Sequence, residues 1–367
     1  MAADELRYGI IGSGMMGIEH MLNIAAIDGA RVTAIADPEP SSRELAKTFS
    51  GLDGQDGRPT VVEFEHHLEL LDSDLCDAVV VATPNHTHVD VLVDVLATGT
   101  DVLVEKPLCT TVQDCRRVIN AADGHPGVVW VGLEYRYMPP VARLIEQVHA
   151  GAIGTVRMFA IREHRYPFLP KVGDWNRFNR NTGGTLVEKC CHFFDLMAHT
   201  LRAQPVRVFA SGAQDVNHLD ERYGGEVPDI LDNAYVVVDF DSGARAMLDL
   251  CMFAEGSQHQ EELVAVGELG KLEAFLPDST LRSGRRSSGR RGVVAEEVRN
   301  EEVRYEGFHH GSSYLEHLDF IRACRSGSAP GVGLHEGLVS VAVGVAAHRS
   351  IDEGRAVLLD EVLAGTT

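Results

Sequence analysis

Residues 7–27 read RYGIIGSGMMGIEHMLNIAAI. The run opens on a short apolar strand pattern, RYGII, and closes on a helical one, MGIEHMLNIAAI. Between them GSGMMG sets Gly12, Gly14 and Gly17 at the spacing G-x-G-x-x-G. Alone the spacing is weak; after a strand and at a helix start, each glycine has a mechanical use. Gly12 allows a tight turn, Gly14 lets a pyrophosphate approach the backbone, and Gly17 lets the helix pack on the strand. The phosphates would rest on the unpaired N–H groups of the first helical turn, with Ser13, Met15 and Met16 completing the loop. A glycine turn without a ligand is the plain alternative.

Working outward, RVTAIAD reads as a second strand that ends on Asp37, close to the expected distance after the glycines. A carboxylate there accepts hydrogen bonds from a ribose 2′-OH and repels a 2′-phosphate, which favours NAD. Ser41, Ser42 and Arg43 just beyond leave NADP possible. Strands CDAVVVATP and DVLVEKP alternate with helical patterns SSRELAKTF, HVDVLVDVLAT and DCRRVINAA, and GVVWVGLEYR continues the series. Such alternation predicts βαβ units in a doubly wound, parallel α/β sheet. Its strands are near-continuous Val, Ile and Ala, as expected when both faces are covered.

Two loops follow strand ends, where such a sheet binds ligands. TPNHTH (83–88) contributes Thr83, Pro84, Asn85 and His88 to the expected cofactor edge. His86 and His88 form an H-x-H pair, read as surface or cofactor-side histidines, since no neighbouring acid or cysteine completes a metal site. EKP (105–107) puts Glu105 before Lys106, with Pro107 stiffening the backbone behind it. Lys106 is a functional candidate; an exposed, salt-bridged lysine is the alternative.

After about residue 130 the rhythm changes. VRMFAIREHR, VRVFASGAQD, NAYVVVDFDSGARAMLDLCMF and ELVAVGELGKLEAFL are strand-like, and Asp-Ser-Gly within DFDSGARAM signals a hairpin. Helical patterns return in SSYLEHLDFIRACRSG and LHEGLVSVAVGVAAHRSID. The expected domains are residues 1–130 and 131–367. The second is an α/β domain on a large, open, mostly antiparallel sheet, and the last helix is free to pack back on the first.

A chain of 367 residues with 44% hydrophobic content suits two such domains. The net charge of −21 argues against a nucleic-acid partner. RSGRRSSGRRG (282–292) is the exception, read as a solvated hairpin tip rather than a phosphate-binding loop. Seven cysteines without CxxC spacing suggest reduced thiols. No apolar run is long enough for a membrane span, and MAADELRYGI lacks signal-peptide character. A cytoplasmic location is expected.

The run GGTLVEKCCHFFDLMAHT (183–200) concentrates chemistry. Read as one helix over 186–199, with Glu188 at zero, His192 falls at about 40°, Asp195 at about −20° and His199 at about 20°. These polar groups share one stripe, while Cys190 and Cys191 turn away as small buried hydrophobes. Glu188 and His192, one turn apart, can touch, and a carboxylate beside an imidazole suits a general base. A solvent-facing helix edge or a satisfied core histidine remain as alternatives. A metal on this pair would lack a third ligand, so none is expected.

With GSGMMG, TPNHTH, EKP and the GG…E…H…D run in this order, the chain resembles the glucose–fructose oxidoreductase/inositol dehydrogenase (Gfo/Idh/MocA) family over nearly its whole length. The resemblance implies a Rossmann domain joined to an open-sheet domain, and NAD(P)-dependent oxidation of a small polyhydroxylated substrate: a cyclitol, sugar or sugar derivative. Lys106 matches the family's catalytic lysine and His192 its acid/base histidine. Glu188 stands where aspartate is usual, and Cys190 where glycine is common. Asp195 matches an acid expected to be structural. By the same resemblance Tyr137, Trp175, Asn176 and His310 are candidates for the substrate pocket, and a homodimer or homotetramer is expected. A keto-sugar or sugar-nucleotide reductase and a non-catalytic NAD sensor are the competing readings.

Overall fold

The structure, a computed structural model, describes residues 5–50 and 60–365. The chain forms two compact units. The first comprises Met1–Glu134, Lys171–Trp175 and Glu302–Leu338, so the chain enters it three times. The second comprises Tyr135–Pro170, Asn176–Glu301 and Val339–Thr367.

The first unit is built on six strands: β1 (Leu6–Ile11), β2 (Ala30–Ala36), β3 (Val62–Phe64), β4 (Ala78–Val81), β5 (Asp101–Glu105) and β6 (Val129–Gly132). Their order is β3-β2-β1-β4-β5-β6 and every pairing is parallel. Register aligns Ile35, Ile10, Val80, Leu103 and Trp130 in one row across five strands. All five are buried, which is why these strands are apolar on both faces. Helix α1 (Met15–Ala25) packs with α2 (Pro40–Ser50), and α3 (His67–Leu71) and α5 (Val112–Ala121) pack with α4 (His88–Leu96). The strand order reverses between β1 and β4, the place where a doubly wound sheet opens a crevice at its carboxyl edge. The doubly wound parallel sheet read from the sequence is present.

The second unit begins with α6 (Pro139–His149) and β7 (Val156–His164). Short helices α7 (Asn179–Thr182) and α8 (Thr185–Glu188) lead into α9 (Cys191–Leu201). Strands β8 (Pro205–Ala213), β9 (Asn233–Phe240), β10 (Arg245–Cys251), β11 (Glu261–Gly267), β12 (Gly270–Leu276), β13 (Thr280–Arg285) and β14 (Val294–Glu297) follow. Helix α10 (Ser312–Ser326), in the first unit, packs on α1. Helix α11 (Leu334–Glu353), β15 (Val357–Leu358) and α12 (Leu359–Leu363) complete the chain. The nine-stranded sheet runs β14-β13-β12-β11-β7-β10-β9-β8-β15. Among the described residues, only β7 and β10 are parallel neighbours in it.

These strands alternate between buried and exposed, as in β9, because helices α6 and α9 cover one face only. The expected hairpin forms between β9 and β10: Gly243 turns with φ +78° and the Phe240 N–H donates to the Ala244 carbonyl at 3.0 Å. Arg286 and its neighbours make the exposed turn between β13 and β14.

Two expectations need correction. GVVWVGLEYR is not strand throughout: β6 stops at Gly132, and Glu134–Tyr137 coil into a 3₁₀ turn. Pro139 then opens α6, where its fixed φ and missing N–H are cheap. The helix read over 186–199 is also broken, into α8 and α9. Cys190 takes φ −87°, ψ −4°, flattening the chain between them. Angular positions projected across that break do not hold.

Candidate active site

In the first unit the glycine loop is clamped by close packing. A side-chain carbon on Gly12 (φ +91°) would lie 2.7 Å from the backbone of Ala82 and Thr83, and one on Gly17 would lie 2.1 Å from the Gly12 carbonyl oxygen. Around Gly14 nothing lies within 4 Å of that position. Gly14 also caps α1, so the first turn, Met15, Met16 and Gly17, offers N–H groups that no helix can pair internally. This open cradle fits a pyrophosphate.

The rest of the carboxyl edge is organised around it. The Asp37 carboxylate, buried at the end of β2, accepts from the Ser13 N–H at 2.8 Å, the Ser13 hydroxyl at 3.2 Å and the Glu39 N–H at 2.9 Å. Arg43 donates to the Asp37 carbonyl. Asn85 is buried, and its side-chain nitrogen has no partner among the described residues, as a donor kept for a ligand would be. His88 is fully buried and bridges two loops, with Nδ1 2.9 Å from the Pro107 carbonyl and Nε2 3.0 Å from the Thr83 carbonyl. Burial lowers its pKa, against the pull of those carbonyls. His86 is exposed, 6.4 Å from the Trp175 ring. The H-x-H pair is thus divided between two tasks. Among the described residues no group of three or more His, Cys, Asp or Glu is arranged to hold a metal.

Lys106 sits at the tip of β5, its N–H donating to the Glu105 carboxylate at 3.1 Å. The other Glu105 oxygen lies 2.9 Å from His20 Nε2. Burial opposes ionisation of Glu105, yet the His20 hydrogen bond and the Lys106 charge hold it below the usual carboxylate range. Of the HHGSS pair, His309 lies 3.4 Å from buried Glu134, and His310 is turned to φ +54° with burial lowering its pKa.

In the second unit His192 is buried near the start of α9, and Glu188 is buried at the end of α8. The His192 ring stacks on Tyr135 with centroids 3.9 Å apart and planes 7° from parallel. Asp195 receives a bidentate contact from Arg136, at 2.6 and 2.5 Å, a structural use for that acid. The Asn176 amide is spent on the Leu169 carbonyl and on Arg177. Tyr137, at the end of the 3₁₀ turn, is half-buried. The cysteines Cys190 and Cys191 are both fully buried, as small hydrophobes are. Gly184 (φ +88°) is required where α8 meets α11: a side-chain carbon there would lie 2.3 Å from His348 Nε2.

Beneath Tyr135 lies a buried ionic network that the sequence reading missed. Lys189, from the break between α8 and α9, donates to the Tyr135 hydroxyl at 2.7 Å and pairs with Glu163 at 3.0 Å. Arg165 pairs with the same Glu163 at 3.1 Å. Glu163 and Glu261 face each other across β7 and β11. The available signal was period two: Phe159, Ile161 and Glu163 share one face, as do Glu261, Leu263 and Ala265, so each acid falls in an apolar series.

Burial and the facing Glu163 charge push the Glu261 carboxyl up to about 7. A folded-state value above the unfolded one means stability that is complete below the unfolded pKa and lost as pH rises through about 7. Glu261→Gln is therefore expected to flatten the fall in Tm between about pH 5 and pH 8, removing a dependence on the order of 2–3 kcal/mol. An unchanged Tm-against-pH curve in that variant would show that Glu261 titrates normally.

Comparison with known proteins agrees with this geometry. Residues 6–133 match the family described as "Oxidoreductase family, NAD-binding Rossmann fold". Residues 145–359 match "Oxidoreductase family, C-terminal alpha/beta domain". The chain is 28% identical over 365 residues to myo-inositol 2-dehydrogenase of Thermotoga maritima, covering 98% of this chain and 100% of that one. A crystal structure of a probable dehydrogenase from Thermotoga maritima superposes with a TM-score of 0.78 at 26% identity, over 97% of this chain and 100% of that one. Levoglucosan dehydrogenase in complex with NADH shares the fold, with a TM-score of 0.82 at 21% identity over 96% and 99% of the two chains. Two matched halves that span most of the sequence, with the glycine cradle intact, establish that the chain belongs to the GFO/IDH/MocA family of oxidoreductases and that NAD is its cofactor.

Proposed function

We propose that the protein oxidises, reversibly, a secondary alcohol of a cyclitol or related sugar, with Lys106 and His192 handling the alcohol oxygen and its proton. One observation carries the reading: a lysine stands at the tip of β5, on the same carboxyl edge as the glycine cradle, with its main chain held by a buried carboxylate. Likeness to a myo-inositol 2-dehydrogenase over the whole chain supports a polyhydroxylated ring as substrate.

In this reading Gly12–Gly17, Asp37, Thr83–Asn85 and the Glu105–Lys106 turn hold the dinucleotide, whose nicotinamide accepts the hydride when bound. His88 lies between two of those loops, one ring nitrogen near a carbonyl of each, and donates to one of them. His192 removes the hydroxyl proton, a general-base task that an imidazole can perform. The ammonium of Lys106 stabilises the oxygen as it gains negative charge, which a fixed charge in a dry site does well. Glu188 binds a neighbouring hydroxyl or orients His192, and reaches about one carbon further than the aspartate usual in the family. Tyr137, Trp175 and His310 border the substrate; Asn176, whose amide is already committed, supports the loop that carries Trp175.

A homodimer or homotetramer is part of the proposal. The uncovered face of the large sheet carries an in-register row, Val264, Ala160, Met247, Val237 and Phe209. Of these, Met247, Val237 and Phe209 are 39%, 43% and 49% exposed, an apolar row of the kind a partner chain covers. The seven cysteines are thiols rather than disulfides, which fits a reducing compartment and a cytoplasmic location.

Lys106→Ala is expected to lower kcat for myo-inositol oxidation about 10³-fold while leaving NADH affinity within about 3-fold. His192→Ala is expected to do likewise, with a smaller loss at high pH, where the alcohol ionises more readily. Unchanged turnover in either variant removes that residue from the chemistry. Light scattering should give a multiple of the 40.0 kDa chain, and Val237→Glu should reduce it. A monomeric wild type would refute the assembly.

A further inference from the structure

Behind the lysine turn lies a buried chain of side chains from three separate elements of the first unit. His20 is on α1, one turn past Gly17; Glu105 ends β5; His317 is on α10. His20 is 2% exposed, Glu105 6% and His317 0%. His20 Nε2 lies 2.9 Å from Glu105 Oε1, and His20 Nδ1 lies 2.9 Å from His317 Nε2. The two imidazoles meet edge to face at 5.1 Å, and the Tyr8 ring packs edge-on against His317 at 5.7 Å. The remaining His317 nitrogen, Nδ1, has no partner among the described residues.

That last fact assigns the protons. If His317 carries its hydrogen on Nε2, it donates to His20 Nδ1, and His20 donates from Nε2 to the carboxylate. Every N–H is then used, and only a bare lone pair on His317 is left over. The opposite arrangement makes His20 a buried cation and leaves an N–H on His317 Nδ1 without an acceptor, the costlier defect. Burial drives His317 well below its ordinary pKa, consistent with a neutral ring. The titratable groups facing Glu105 are His20, then Lys106, its neighbour, and His309.

We propose that His20 and His317 are positioning residues for Lys106: two neutral imidazoles in series donate toward Glu105, whose second oxygen holds the main-chain N–H of the lysine. The helix that receives the phosphates and the turn that presents the ammonium are thereby locked to one another. The proposal rests on the catalytic reading of Lys106, and its test separates the two.

The test is a double-mutant cycle with NAD and myo-inositol. Variants His20→Leu, Lys106→Ala and the pair are compared with wild type by kcat, and by KM for NAD. His20→Leu is expected to lower kcat about 30-fold with KM for NAD changed less than about 3-fold, and to add less than about 2-fold in the Lys106→Ala background. His20→Gln keeps a donor toward Glu105 and is expected to recover kcat to within about 3-fold of wild type. Equal losses from His20→Leu in both backgrounds, or no loss at all, overturn the inference while leaving the role of Lys106 intact. An unchanged kcat in Lys106→Ala overturns both. Should His20→Leu not fold, His317→Leu takes its place: a loss of about 5-fold confined to the Lys106 background supports the proposal, and equal losses refute it.

Discussion

A carboxylate without water is the constraint on which the first unit turns. Removing an ionised Glu105 from solvent costs several kcal/mol, and the fold offsets it only by bringing donors to both of its oxygens. One donor is the N–H of the next residue, which fixes the main chain as it leaves β5. The other is an imidazole from α1, itself supported by a second imidazole from α10. Strand, phosphate-binding helix and the segment returning near the end of the chain are therefore held to one point. The lysine that follows Glu105 inherits that rigidity, which its proposed electrostatic role requires.

The second unit solves the same problem differently. Glu163 and Glu261, opposed on neighbouring strands, would repel if both were charged in a dry interior. Lys189 and Arg165 supply opposite charge to Glu163, while Glu261 keeps a raised pKa. Lys189 is free to reach down because the helix is interrupted between Glu188 and Cys191. Its ammonium grips the Tyr135 hydroxyl, and the Tyr135 ring is the surface on which His192 lies. A local departure from regular helix thus places an anchor beneath the imidazole.

The parts legible in sequence are those set by local chemistry. Gly12 and Gly17 announce close approach, Asp37 ends an apolar strand, and period-two alternation marks the half-covered strands of the large sheet. The parts that were hidden depend on distant partners. Nothing near His20 in the chain reveals that its ring meets Glu105 and His317, nor does Asp-Ser-Gly between β9 and β10 reveal that β10 then pairs in parallel with β7. The break at Cys190 is hidden for another reason. Its residues have acceptable helix character, and the interruption is visible only as a backbone conformation. Reading 186–199 as one regular helix gave the wrong geometry for Glu188 relative to His192.

Lys106 and His192 belong to different units of the chain, and the proposed chemistry requires that they serve one oxygen atom. A crystal structure with NAD and myo-inositol bound measures this directly. Lys106 Nζ and a ring nitrogen of His192 are both expected within about 3.2 Å of the same hydroxyl oxygen. A complex in which the two groups contact different hydroxyls, or in which either lies well beyond hydrogen-bond reach of the substrate, would contradict it.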